Sequence, residues 1–548
     1  MNVISLIGSP TKSAINETFK GKEPWQIVGM TSTTILASVW LYNFIFQDES
    51  ISLRARKLAM RMVRLLPAVR AKIDSEMKKL NEEFEAEAIE RTKGLSYITT
   101  LPDSGMQRDH VLELVQRCVY SGDCDWKKGR VSGCVYRVAE PELASLVKEV
   151  YGLALLTNPL HPDIFPGVCK MEAEIVRITC RLFNGDKDSC GTMTAGGTES
   201  IMLACKAFRD YARADKGITR PEMVVPTTAH SAFDKAAQFL GIRIRSVPVN
   251  PDSHTASINA VKRAINRNTV LLVCSAPNFP YGTMDNVKAI SELGERFDVP
   301  VHVDACLGGF LICFMRKAGY EVADFDFRLP GVTSISADTH KYGYAPKGSS
   351  VIMYRHKKYR HHQFTITTDW PGGIYGSPTV NGSRAGGIIA ACWATMMFLG
   401  ERGYVEATRQ IIETTRFIER ELRQTEGLYV FGSPVTSVVA VGSEDFDIFH
   451  LVKSLNTRGW KLNPLQFPSA VHICVTHVHT QAGVAQQFID DVREDVAELL
   501  KDPSKPIDGM YAIYGKSQGI PDRSIVGDIT KSFIDAMYYT PPDSNNRA

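Results

Sequence analysis

From residue 223 to residue 303 the chain alternates short apolar runs with amphipathic segments, and this alternation restricts its fold more than any other feature. Residues 223–227, 242–249, 269–274 and 299–303 read as strands, with 231–240, 258–266 and 287–297 as the helices between them. Strands this continuously apolar are covered on both faces, so the pattern predicts an α/β fold: a mostly parallel sheet covered by helices. In such a sheet the working residues sit outside the carboxyl ends of the strands. The polar residues that follow these runs are therefore the first candidates for chemistry.

One more apolar run, 331–337, opens into Asp338, Thr339 and His340 and then into Lys341, Tyr342 and Gly343. A lysine that leaves a strand edge there points into a crevice, where lost hydration should lower its pKa towards the range in which it forms and exchanges a Schiff base. The run 299–303 ends in Asp304, a carboxylate that can pair with a protonated ring nitrogen. Thr194, Gly196, Gly197, Thr198, Glu199 and Ser200 form a glycine turn entering a helix, whose free N–H groups and hydroxyls suit a phosphate. His230 follows the run 223–227, where an imidazole can stack over a flat ring. Each feature has an ordinary explanation alone, since a strand-end Asp caps helices, Gly-Gly makes turns and His packs on surfaces. Their order along the chain, phosphate turn, stacking His, strand-end Asp and lysine, is the one expected of a site for pyridoxal 5'-phosphate (PLP).

On these residues the chain resembles the PLP-dependent enzymes of fold type I, the aspartate-aminotransferase-like class. Within that class it is similar to the sphingosine-1-phosphate lyase family, which is related to the group II decarboxylases. The segments that carry the resemblance are 158–167 (NPLHPDIFPG), 191–200, 302–314 and 337–350 (ADTHKYGYAPKGSS), and it extends from about Leu101 to near the C-terminus. The resemblance implies Lys341, Asp304 and His230 as catalytic residues. It implies Gly196, Gly197, Thr198, His230, Asp304, Thr339, His340, Lys341, Gly382 and Ser383 as cofactor-binding residues, the last two reaching the other subunit of a homodimer with shared active sites. Tyr136, His161 and Lys347 would meet the substrate phosphate. The implied reaction cleaves a phosphorylated long-chain sphingoid base between C2 and C3, giving a fatty aldehyde and phosphoethanolamine. A PLP-dependent group II amino-acid decarboxylase remains the alternative, because the same cofactor residues serve both reactions.

Residues 25–46 carry no charged side chain and are long enough for a membrane-crossing helix, which needs about 20 residues. A basic flank follows, with Arg54, Arg56, Lys57, Arg61, Arg64, Arg70 and Lys72. Together these predict a single-pass span in the endoplasmic reticulum membrane, with residues 1–24 lumenal and the catalytic body cytosolic. Asn16 would then be a glycosylation acceptor on the lumenal side. The predicted organisation continues with a basic, amphipathic helical linker at 47–100, an entrance and dimer-contact region at 101–170 and a large PLP-binding domain at 171–384. A connecting helix and smaller C-terminal α/β domain follow at 385–540, then a disordered tail at 541–548. Lys and Arg total 63 against 60 Asp and Glu, so the net charge of +3 gives no case for nucleic acid as a partner. The 12 cysteines lack metal-ligand spacing, so no metal is expected and reduced thiols are the better reading.

Overall fold

The computed structural model describes residues 9–45, 51–138, 140–503 and 523–541. The chain divides into two compact units, one comprising residues 1–121 with 519–548 and the other residues 122–518. The first unit is helical. Helices Ile51–Arg64 and Pro67–Arg91 are separated at Leu65 and Leu66, with Pro67 opening the second, where its missing N–H costs nothing. Helix Arg523–Ala536 packs on Pro67–Arg91 through Phe84 and Phe533, whose ring centroids are 5.7 Å apart, and Arg64 pairs with Asp528 at 3.3 Å.

No helix among the described residues is long and apolar enough to cross a membrane. The helix at the expected position, Pro24–Ile45, has the length, at 22 residues. However, Gln26, Gly29, Thr31, Ser32, Thr33, Thr34 and Ser38 dilute its apolar content, and each hydroxyl or amide adds to the cost of entering hydrocarbon. Absence of charge is not sufficient. This corrects the transmembrane helix expected from the sequence. The endoplasmic reticulum membrane as a partner and the single-pass location, with lumenal N-terminus and cytosolic body, are corrected with it. Residues 1–8 and 46 of the expected lumenal segment and span, and 542–548 of the expected tail, lie outside the described residues.

The second unit is built on a seven-stranded sheet. Its strands are β1 (Cys190–Thr194), β2 (Glu222–Pro226), β3 (Arg243–Val247), β4 (Thr269–Ser275), β5 (Val301–Asp304), β6 (Val332–Ala337) and β7 (Ser350–Tyr354), in the order β1-β7-β6-β5-β4-β2-β3. The pairings from β3 through β2, β4 and β5 to β6 are parallel, whereas β7 runs antiparallel to both β6 and β1. The sheet is therefore mixed. The connection from β6 to β7 is the lysine turn itself and contains no helix, and a parallel return would need a helical crossover. The other six strands share one direction, so β1, β2, β5 and β6 all deliver their carboxyl ends to the same edge.

Helices cover both faces, as the side chains of β4 make plain. Val270, Leu271 and Val273 join Ile201, Phe208 and Phe233 on one side, while Leu272 and Cys274 join Ile175, Ile290 and Phe310 on the other. One close approach in the sheet excludes any side chain. A Cβ on Gly191 in β1 would lie 2.2 Å from the Ile352 carbonyl oxygen of β7. That oxygen is backbone in a central strand and cannot swing aside. Gly191→Ala is expected to cost about 1–3 kcal/mol or more, seen as a lower urea midpoint for the second unit.

Two short strands, β8 (Thr365–Thr367) and β9 (Tyr375–Ser377), form a hairpin before the long helix Gly386–Arg423. Sequence reading puts two helices there, and the structure breaks the run at Gly400, whose φ of 56° and ψ of 179° are not helical. A four-stranded antiparallel sheet follows, from β10 (Tyr429–Val430), β11 (Val438–Gly442), β12 (Asn463–Leu465) and β13 (Ala470–Cys474), in the order β10-β11-β13-β12. Tyr342 ties the lysine turn to this part of the chain, because its hydroxyl oxygen lies 2.6 Å from both Ser437 Oγ and Val475 O.

Candidate active site

At the common edge of β1, β2, β5 and β6 lies a cavity of about 600 Å³, lined by Gly197, Thr198, His230, Cys306, Lys341 and Asn381 among others. β1 ends at Thr194 and the helix Gly197–Lys216 begins three residues later, so the first N–H groups of that helix, which lack intrahelical acceptors, face the cavity. Gly197 is required there: a Cβ would meet Cys306 Sγ at 2.8 Å and both Asp338 carboxylate oxygens at 2.9 Å. Glu199 fixes the turn from behind. Its Oε2 accepts from Ala195 N at 2.6 Å and its Oε1 from Val380 N at 3.0 Å, which also holds the glycine-rich loop against the turn.

His230 follows β2 and enters the cavity wall. Ala232 N donates to its Nδ1 at 3.1 Å, so the proton of the neutral ring sits on Nε2. Asp304 ends β5 and is buried beside Cys306, whose N–H donates to its Oδ1 at 3.0 Å. Ser336 Oγ donates to the same oxygen at 3.5 Å and lies 3.1 Å from His302 Nε2, while His302 Nδ1 lies 2.7 Å from Ser334 Oγ. Burial pushes the His302 pKa down to about 4, against the pull of Asp304, so this relay behind Asp304 is neutral.

Lys341 lies in the turn after β6, with Nζ 2.9 Å from Asp338 Oδ2. Burial acts to lower its pKa, but the Asp338 carboxylate in contact with it outweighs that effect and the net direction is upward. The lowered pKa expected from desolvation is thereby corrected, since the sequence reading had given Asp338 no role. His340 lines the same cavity, with its Nδ1 accepting from Ser349 N at 3.1 Å, and burial lowers its pKa. Thr339 is committed elsewhere: its hydroxyl donates to buried Ser349 Oγ at 2.8 Å.

Of the three residues expected at a substrate phosphate, the structure brings two together. Lys347 Nζ lies 4.7 Å from the centroid of the Tyr136 ring, which packs edge-on against Tyr342 at 4.8 Å. Burial, followed by repulsion from Lys341, lowers the Lys347 pKa. His161 is exposed on the proline-rich loop before helix Pro166–Leu182 and meets neither of them within the chain. Ser383 lines an adjoining cavity of about 360 Å³ that shares Ala195, Glu199 and Asn381 with the first. Gly382 sits against Tyr375, where a Cβ would lie 2.7 Å from the phenol oxygen. Sequence reasoning passed over Asp338 and Cys306, although Asp338 stands three residues before the lysine and Cys306 two after the strand-end Asp.

A cavity that receives an amine from one strand end and helix N–H groups from another defines a fold-type-I PLP-dependent enzyme. The room at the cavity, the glycine that keeps the helix start bare and the buried carboxylate at Asp304 all fit that cofactor. More narrowly, the chain belongs to the family described as the pyridoxal-dependent decarboxylase conserved domain, which matches residues 98–441. It is 57% identical over 532 residues to the sphingosine-1-phosphate lyase of Drosophila melanogaster, covering 97% of each chain. Identity to sphingosine-1-phosphate lyase 1 of Mus musculus is 48% over 544 residues, covering 99% of this chain and 95% of that one. A solved sphingosine-1-phosphate lyase from Burkholderia pseudomallei K96243 superposes with a TM-score of 0.72 at 42% identity, covering 75% of this chain and 95% of the other.

Proposed function

We propose that the chain is a PLP-dependent carbon–carbon lyase that cleaves phosphorylated long-chain bases, sphingosine 1-phosphate and dihydrosphingosine 1-phosphate, between C2 and C3. The products are a long-chain aldehyde and phosphoethanolamine. Near-full-length similarity to sphingosine-1-phosphate lyases supports the reaction class. The observation that carries the substrate is a further cation near Lys341: Lys347 held over Tyr136, beside a cavity that already has its own helix start for a cofactor phosphate.

PLP bound in this cavity supplies an electron sink for the carbon that loses its substituent. The residues divide the remaining work. Lys341 provides the attaching amine, and Asp304 provides the negative charge for the ring nitrogen. His230 covers the ring. Gly196, Gly197, Thr198 and His340 surround the cofactor phosphate, and Gly382 and Ser383 reach the cofactor phosphate of the other subunit of a homodimer. Lys347 and Tyr136 hold the substrate phosphate, a dianion that needs donors beyond those serving the cofactor. His161 joins them on resemblance alone.

Incubating the protein with PLP and dihydrosphingosine 1-phosphate and identifying the products by mass spectrometry tests the reading. Aldehyde with phosphoethanolamine supports it; an intact carbon chain, or carbon dioxide from an amino acid instead, overturns it. Lys347→Ala should lower kcat/KM by roughly 10- to 100-fold, the loss of one charged hydrogen bond to phosphate, while cofactor absorbance shows unchanged PLP occupancy. Wild-type efficiency in that variant would remove Lys347 from the substrate site.

A further inference from the structure

The cavity contains a carboxylate to which the reading above gives no task. Asp338 is 2% exposed, and its Oδ1 has no hydrogen-bond partner. Its Oδ2 lies 2.9 Å from Lys341 Nζ and 3.6 Å from His340 Nε2. Both oxygens are also within 2.9 Å of the position a Gly197 Cβ would take, which places the carboxylate under the first turn of helix Gly197–Lys216. Positive charge at a helix start stabilises an anion there, so the helix and the lysine both offset the cost of burying the Asp338 carboxylate. A buried charge with a free lone pair is expensive and normally serves a purpose.

We propose that Asp338 is a positioning residue for Lys341: it holds the lysine as an ammonium whenever that side chain is not covalently engaged, and it takes the proton when the amine attacks. The step balances within the pair. The Nζ–H bond breaks, an Oδ2–H bond forms and both charges cancel, leaving a neutral amine able to add to the cofactor's aldehyde carbon. No other reactant is required.

The groups around Lys341 leave this role to Asp338. Tyr136 and Cys306 face the lysine, and burial raises the pKa of both, so they are neutral. Cys474 is likewise raised by burial, and His340 is lowered by it, so neither adds charge. Lys347 faces Lys341 as a second cation and repels it. Asp304 ends the neighbouring strand and faces Cys306 and the His302 relay. Among the described residues, the anion in contact with the Lys341 amine is Asp338. Without it, burial and Lys347 both act to discharge the lysine.

This role rests on the reading that Lys341 captures the cofactor, and the test separates the two. The full-length protein, freed of cofactor, is pulse-labelled with acetic anhydride from about pH 6 to about pH 11, and lysine acetylation is read peptide by peptide. In the wild type Lys341 should begin to label at higher pH than Lys347, although the two are six residues apart. In Asp338→Asn the Lys341 profile should move down by roughly one to three pH units while the Lys347 profile moves far less. PLP capture, followed by absorbance, should accelerate with pH in the wild type and be nearly flat across neutral pH in the variant. Coincident Lys341 profiles in the two proteins overturn the role. If the variant does not fold, the wild type still decides: Lys341 labelling at or below the pH at which Lys347 labels overturns it as well. Borohydride trapping of PLP on a residue other than Lys341 overturns the attachment reading instead, and leaves the labelling result about Asp338 standing.

Discussion

Lys341→Ala should abolish turnover, by roughly a thousandfold or more, in a protein that still folds. The side chain belongs to the turn between β6 and β7 and not to the sheet core, so no packing layer is lost with it. The cost arises from its partner. Removing Lys341 leaves Asp338 buried with neither oxygen paired to a cation in contact, and the carboxylate must then take up a proton or strain the turn. Melting temperature should therefore fall in Lys341→Ala and recover in part in the double variant with Asp338→Asn. Because the native site raises the Lys341 pKa, the stabilisation from the pair is complete below about pH 10 and disappears only as pH rises through the native value. The assignment itself is checked in the wild type by borohydride reduction in the presence of PLP and peptide mass spectrometry. The added mass should fall on Lys341, and labelling of Lys347 or Lys357 with Lys341 untouched would contradict it.

The parts of this molecule that could be read from sequence are those set by local pattern. Residues 269–274 and 299–303 are so apolar that little but a doubly covered strand can use them, and Ser275 and Asp304 at their ends fall on the edge of the sheet that carries the cavity because strand direction puts them there. What sequence did not reveal depends on partners distant in the chain or on totals. The direction of β7 follows from the absence of a helix in a twelve-residue connection, between Ala337 and Ser350, whose own interest lies in its lysine. The state of Lys341 depends on Asp338 one turn away, and desolvation alone gave the wrong sign. Residues 25–46 looked like a span because no charge interrupts them, while the sum of their hydroxyls, amide and glycine decides the matter.

Asp304→Asn should leave a folded, PLP-binding protein whose turnover is lower by roughly 100- to 1000-fold, the range for removing one preorganised electrostatic group. The geometry explains why the fold should survive. Asp304 Oδ1 accepts from Cys306 N at 3.0 Å and from Ser336 Oγ at 3.5 Å, and an amide oxygen can accept both. The relay behind it sets its own protons: Ser336 donates to Asp304, so its oxygen receives the Nε2 proton of His302, and Ser334 then donates to Nδ1. With His302 neutral and the two serines uncharged, the relay brings orientation but no charge, and all of the negative charge offered to a ring nitrogen resides on Asp304. Asparagine retains the orientation and removes the charge, so the variant isolates the electrostatic part of the role. Three measurements on one preparation settle it: thermal midpoint for the fold, cofactor absorbance for occupancy and aldehyde release for turnover. Near-normal aldehyde release with PLP bound would show that the ring nitrogen does not depend on Asp304. Turnover lost together with the fold or the cofactor would assign the residue to structure. Turnover lost alone is the expected result, because the substitution withdraws one charge from a site in which every neighbouring hydrogen bond can still be made.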